Sequence, residues 1–221
     1  YIDHVRGVYN VFRRVAANYP NLPIMLCSGG GARCDYEAMK YFTEFWCSDD
    51  TDPVERIFIQ WGFSQFFPAK TMCAHVTSWN KQTSVKFRTD VAMMGKLGFD
   101  IGLKELSADE LAYCQTAVAN YNRLKPAILE GDLYRLVSPY EGNHASVMYM
   151  DKTQAKGVVF AFDIHPRYGE KLLPVKLQGL DPDKQYRIEE INLMPGQRSS
   201  LKENGQTYSG DYLMKVGLYL F

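Results

Sequence analysis

The residues able to do chemistry concentrate between Cys27 and Asp52, in Cys27-Ser-Gly-Gly-Gly-Ala-Arg-Cys-Asp35 and Trp46-Cys-Ser-Asp-Asp-Thr-Asp52. Three consecutive glycines carry a high backbone entropy, so they need a reason: positive φ, a tight turn, or a ligand approaching bare main chain. A phosphate loop is a poor reading, because the Lys-Ser/Thr of a Walker sequence and the GxGxxG spacing are both missing. Among the carboxylates, Asp52 has a structural duty, since Asp52-Pro53-Val54-Glu55 spells a helix start with Asp as N-cap, Pro at N1 and Glu at N3. Asp49 and Asp50 precede that cap without such an assignment, which leaves one of them free for proton transfer. Asp35, two residues after Arg33, suits either catalysis or a local ion pair that stiffens the turn.

Two apolar segments, 22–26 and 42–47, lead into the glycines and the acidic run. That is the pattern of neighbouring strands in a parallel α/β sheet or barrel, whose carboxyl ends open towards a ligand. Upstream, Val5, Val8, Phe12 and Val15 recur at helical spacing and predict an amphipathic helix over 2–18, with Arg6, Arg13 and Arg14 in solvent. A short helix over 36–42, a helix over 53–67 stopped by Pro68, a strand over 71–76, a helix over 84–97 and a strand over 99–103 follow. Ser107-Ala-Asp-Glu110 is a capping box for a helix to about residue 124, with Leu111, Cys114, Val118 and Tyr121 on one face. The alternation predicts an α/β unit over 1–138, the second half of a (β/α)₈ TIM barrel. His75, at the end of the third strand, either faces the pocket or pairs internally as a structural histidine.

Beyond Pro139 the character changes. Segments 146–150, 157–164, 175–177, 186–191 and 212–221 are short and rich in β-branched or aromatic residues, separated by turn chemistry such as Asp181-Pro-Asp183 and Asn204-Gly205. They predict an all-β domain over 139–221, an antiparallel β-sandwich.

Composition narrows the function classes. The 221 residues are 46% hydrophobic and 14% aromatic, ample for a globular core, and the formal net charge is zero. Neither nucleic acid nor an anionic membrane surface is expected as a partner. Five cysteines without a CxxC pair argue against a disulfide framework and a zinc site, so reduced thiols, no metal and no cofactor are expected. No apolar run reaches about 18 residues, so no membrane span is expected. The chain opens on Tyr1 rather than Met, which suggests part of a longer protein and makes a missing export signal weak evidence about location; a cytoplasmic location is the expectation.

The stretches Cys27-Ser-Gly-Gly-Gly-Ala-Arg-Cys-Asp35 and Trp46-Cys-Ser-Asp-Asp-Thr-Asp-Pro-Val-Glu-Arg-Ile-Phe-Ile-Gln60 closely resemble glycoside hydrolase family thirty-six, the retaining α-galactosidases. Ala74-His-Val-Thr77 and Ser209-Gly-Asp-Tyr-Leu-Met-Lys-Val-Gly217 resemble the same family, so the likeness spans nearly the whole chain. It implies hydrolysis of terminal α-galactosides, as in melibiose and raffinose-type oligosaccharides, with Asp49 as general acid/base. It places Cys27, Gly29 and Gly30 against the galactose ring, and it implies a homo-oligomeric full-length parent. Trp79, at a strand tip, either stacks on a sugar face or packs within its loop. The family's nucleophile is an Asp in a Lys-Trp-Asp tripeptide on an earlier strand, and no such tripeptide occurs here. The family's further acidic pair and Arg that hold the sugar hydroxyls also have no counterpart in this sequence. Negligible turnover is therefore expected of this polypeptide alone. The alternative functions are another α-glycoside specificity or transglycosylation on the same scaffold, and sugar binding without catalysis.

Overall fold

The computed structural model describes residues 1–27 and 31–221. Helix α1 (Ile2–Asn18) half-buries the predicted stripe of Val5, Val8, Phe12 and Val15, and Phe12 meets Phe42 edge to face with ring centroids 4.7 Å apart. Strands β1 (Met25–Leu26), β2 (Glu44–Trp46), β3 (Met72–Thr77) and β4 (Lys96–Asp100) then form one sheet in the order β1-β2-β3-β4, every pair parallel. A 3₁₀ turn over Ala38–Lys40 and helices α2 (Pro53–Phe63) and α3 (Val85–Ala92) connect them.

Register sorts the sheet into two faces, because side chains along a strand alternate. Leu26, Phe45, Met72, Ala74 and Leu97 share one face; Glu44, Trp46, Cys73, His75 and Lys96 share the other. The first is an apolar bed, on which Phe45 and Met72 meet Ile57 of α2 and Val91 of α3, and Ala74 meets Ala92. The second is polar, and on it Lys96 pairs with Glu44 across β3.

Several boundaries differ from the sequence reading: the helix expected over 84–97 ends at Ala92, and only a 3₁₀ turn over Ala38–Lys40 stands in place of the helix expected over 36–42. β4 starts at Lys96 rather than 99, since at Gly95 a Cβ would stand 2.7 Å from the Met72 carbonyl oxygen, and its absence lets the chain enter directly beside β3. α2 ends at Phe63 rather than 67, where the Ser64 hydroxyl turns back on the Trp61 carbonyl at 2.7 Å.

Helix α4 (Ala108–Glu130) opens on the expected capping box, with Ser107 Oγ accepting from Glu110 N at 3.2 Å and the Glu110 carboxylate accepting from Ser107 N at 2.9 Å. It runs beyond 124, with Pro126 inside, and buries Tyr113, Cys114, Ala117, Tyr121, Leu124 and Ile128. Leu111 and Val118, expected on that face, are each 38% exposed. The small Ala117 and the ring of Tyr113 take the contact with Val85 instead.

Strands β5 (Asp132–Val137), β6 (His144–Met150) and β7 (Gly157–Asp163) form an antiparallel sheet with β6 in the middle. The β5–β6 hairpin thus runs across the 138/139 division expected from the sequence. β6 is buried on both faces. Its Ala145, Val147 and Tyr149 join Phe160 and Phe162 of β7 in the core shared with α2 and α4, while Met148 and Met150 face a second core with Leu177, Leu180, Leu213 and Leu218. β8 (Gln185–Arg187) pairs with β9 (Thr207–Ser209).

The strand expected over 212–221 is instead a helix, α5 (Gly210–Lys215), which Ser209 caps by accepting from Tyr212 N at 3.2 Å; Leu218 alone returns to bridge Val175. Asn192, at φ 57°, ties the two sheets' surroundings together. Its Nδ2 donates to Asp90 Oδ1 at 2.9 Å, and its Oδ1 accepts from Asn120 Nδ2 at 2.9 Å. Among the described residues, no helix is long and apolar enough to cross a membrane.

Candidate functional site: the tips of β1, β2 and β3

The carboxyl end of β2 carries the acidic run. Asp49 is exposed there, and its Oδ1 accepts from the indole Nε1–H of Trp46 at 3.1 Å. The neighbouring carboxylates are otherwise engaged. Asp50 Oδ1 accepts from Asp52 N at 2.9 Å, and Asp52 caps α2 by accepting from Val54 N at 2.8 Å and Glu55 N at 3.3 Å, with Pro53 at N1. The second oxygen of Asp52 accepts from Asn80 Nδ2 at 2.6 Å, which joins the β2 and β3 tips. The hydroxyl of Thr77 donates to that of Thr51 at 2.8 Å and makes the same junction again.

Two buried arginines hold these tips from behind. Arg56, 3% exposed, donates through Nε to the Asp50 carbonyl and through Nη2 to the Ser48 carbonyl, each at 2.7 Å. Its guanidinium lies 4.7 Å from the Trp46 ring centroid, within cation–π range. Arg88 donates to the Thr77 carbonyl at 2.8 Å. Sequence reasoning gave neither arginine a role. The available signal was a charge inside the buried spacing Pro53, Arg56, Ile57, Gln60, a position that needs a polar partner.

The glycine turn reaches the same place. Gly31, at φ +76°, stands so close to the end of β2 that a Cβ would lie 2.8 Å from the Cys47 carbonyl oxygen and 3.3 Å from that of Trp46. Its main chain therefore abuts the strand end two residues before Asp49. Cys27, directly after β1, is exposed. Gly29 and Gly30 lie outside the described residues. His75 is half-buried on the polar face, with its ring 4.8 Å from that of Trp46 and close over Gly98, where no side chain obstructs it. Burial holds its pKa below the ordinary histidine value. Trp79 is 57% exposed at the tip of β3. Among the described residues, no cluster of His, Cys, Asp and Glu is arranged to hold a metal ion.

Asp35 is bonded otherwise than its neighbour Arg33 suggested. It accepts from the Tyr9 hydroxyl at 2.8 and 2.6 Å and from Ala38 N at 2.7 Å, which ties α1 to the glycine turn. Burial pushes its carboxyl up, but the hydrogen bonds from Tyr9 and from the Ala38 and Glu37 amides outweigh it and hold the group below the usual carboxylate value. Tyr9 is pushed up to about 12, by burial first and by Asp35 second. A lowered carboxyl stabilises the fold above its unfolded pKa of about 3.9, and a raised phenol stabilises it below its unfolded value of about 10. Tyr9→Phe should therefore lose about 1 kcal/mol between those limits, a charge-assisted bond discounted for exposure. The loss should vanish as pH falls through the folded pKa of Asp35. Urea titrations of both proteins over that range check this.

A parallel sheet presenting a carboxylate at its strand mouth, with an antiparallel unit packed against its helices, defines a protein of mixed α/β and antiparallel β architecture, and comparison with known proteins narrows the class. Residues 2–131 match the Melibiase family model, and residues 144–221 match that of the glycosyl hydrolase family 36 C-terminal domain. The chain belongs to the melibiase family, glycosyl hydrolase family 36. It is 34% identical to a probable α-galactosidase G of Aspergillus terreus, over 97% of this chain and 29% of that protein. The crystal structure of α-galactosidase AgaB from Geobacillus stearothermophilus superimposes with a TM-score of 0.86 at 33% identity, over 97% of this chain and 28% of the other. A variant of α-galactosidase AgaA from the same organism, solved in complex with raffinose, gives a TM-score of 0.87 at 30% identity, over 97% and 29%. The chain thus spans under a third of the length of the relatives it matches.

Proposed function

We propose that this chain is the acid-bearing part of a retaining α-galactosidase, with Asp49 as general acid/base and Cys27, Gly29 and Gly30 lining the galactose subsite. The observation that carries the reading is Asp49 itself. It stands exposed at a parallel strand mouth, oriented by Trp46, beside the main chain of the glycine turn, while Asp50 and Asp52 are occupied in shaping the loop. A retaining enzyme needs two carboxylates about 5–5.5 Å apart, one on each side of the anomeric carbon. Asp49 would protonate the departing glycosidic oxygen and later take the proton of the attacking water. The nucleophile would come from a Lys-Trp-Asp segment that this sequence lacks.

The four parallel strands, in sequential order with helices on the apolar face and polar groups on the other, support their being strands of a (β/α)₈ barrel. The β5–β6 pairing favours a domain division near Gly131, with the antiparallel part as the sandwich. The substrate class would be galactose-containing oligosaccharides, as in the raffinose complex of the AgaA variant. Incubation of the purified 221-residue chain with a nitrophenyl α-galactoside is expected to release no more nitrophenol than its Asp49→Asn variant does. Turnover well above that control would overturn the division of the two carboxylates.

A further inference from the structure

We propose that Arg56 is a positioning residue for Asp49, holding both the loop that presents the acid and the indole that orients it. The proposal rests on the acid/base reading of Asp49. The carbonyls of Ser48 and Asp50 flank Asp49 in the chain, and one guanidinium binds both at 2.7 Å. The Ser48–Asp49 peptide unit and the Asp50–Thr51 unit one residue further on are thereby held, which restrains the turn that carries the Asp49 side chain. The carboxylate's hydrogen bond comes from Trp46 at 3.1 Å, and the Trp46 ring lies 4.7 Å from the same guanidinium and 4.8 Å from the ring of His75. Loop and donor thus share a single buried cation.

The choice of arginine follows from geometry. Its planar fork directs several N–H groups in fixed directions, so it can bind two carbonyls of one turn while stacking on an aromatic ring; lysine, a point charge on a flexible stem, cannot do all three. Burying a cation at 3% exposure is unfavourable unless its donors are used. Here two donors are spent on the acid's own loop rather than on a carboxylate. Among the described residues no salt bridge reaches Arg56, and its Nη1 has no hydrogen-bond partner. Its burial is therefore accounted for by the tip it organises.

The test reads geometry rather than turnover, so it fails independently of the galactosidase reading. The ¹⁵N-labelled 221-residue chain has three tryptophans and so three indole N–H signals, with that of Trp46 assigned by its loss in Trp46→Phe. Replacing the Asp49 carboxylate by an amide, in Asp49→Asn, should shift the Trp46 signal, because the acceptor of its N–H changes. In Arg56→Met the Asp49-linked shift is expected to be lost, and in Arg56→Lys to be reduced. A folded Arg56→Met with the wild-type shift would overturn the proposal. Should Arg56→Met fail to fold, an undiminished shift in Arg56→Lys would overturn it equally. So would a wild-type Trp46 signal that ignores Asp49.

Discussion

Asp49→Asn, introduced into the polypeptide that carries both carboxylates, is expected to lower kcat on raffinose by about a thousandfold, within the range that general acid–base catalysis contributes. Asparagine keeps the volume and can still meet the Trp46 N–H, so the loop held by Arg56 should stay in place. What disappears is the proton for the leaving sugar. A dinitrophenyl α-galactoside, whose leaving group departs without protonation, should therefore keep its first step and lose its second, and the covalent galactosyl-enzyme should accumulate. Azide, a nucleophile that needs no general base, should restore turnover and yield the galactosyl azide of retained configuration. Steady-state kinetics on the two substrates, with and without azide, check the assignment. Equal losses on both substrates with no azide rescue would remove Asp49 from the role of acid/base.

Phe45→Ala should produce the largest loss of stability. Phe45 is fully buried in the middle of β2, in register between Leu26 and Met72, with its ring 5.1 Å from Phe63 and 5.0 Å from Phe67. Removing a buried phenyl ring costs about 3–5 kcal/mol through lost transfer energy and an unfilled cavity. That is a large share of the roughly 5–15 kcal/mol available to a whole domain. The midpoint of thermal unfolding should fall on the order of 10 °C, measured by circular dichroism. Because β2 leads directly into the loop that carries Asp49, the strand mouth should loosen with the core. By contrast, Trp79→Ala, at an exposed ring, should leave the midpoint nearly unchanged.

Much of the candidate site was legible because its signals are local. The Asp52 cap and the Ser107–Glu110 capping box are contacts among residues two or three apart, so they can be spelled in the sequence and were found where spelled. The parallel strands were legible from the apolar runs that end in glycine and acid. The last helix was missed, because Tyr212 to Phe221 is as aromatic and β-branched as a strand; the deciding contact, Ser209 capping the Tyr212 amide, was available but outweighed by that composition. The apolar face of α4 was misjudged because hydrophobicity was weighed by side-chain type, whereas what α3 offers against α4 selects Ala117 and Tyr113 over Leu111 and Val118.

By itself, then, the sequence determined the family, the alternation of parallel strands and helices up to α4 and the absence of a Lys-Trp-Asp tripeptide, since motifs, caps and periodicity are written in neighbouring residues. Only the tertiary structure decided that Asp35 answers to Tyr9 rather than Arg33, that β6 is buried on both sides, and that one arginine grips both flanks of Asp49 and the ring that orients it. The reason is physical. A buried polar group must find partners wherever folding brings them, and which hydroxyl, carbonyl or ring arrives there is set by the packing of whole elements, which no short stretch of chain records.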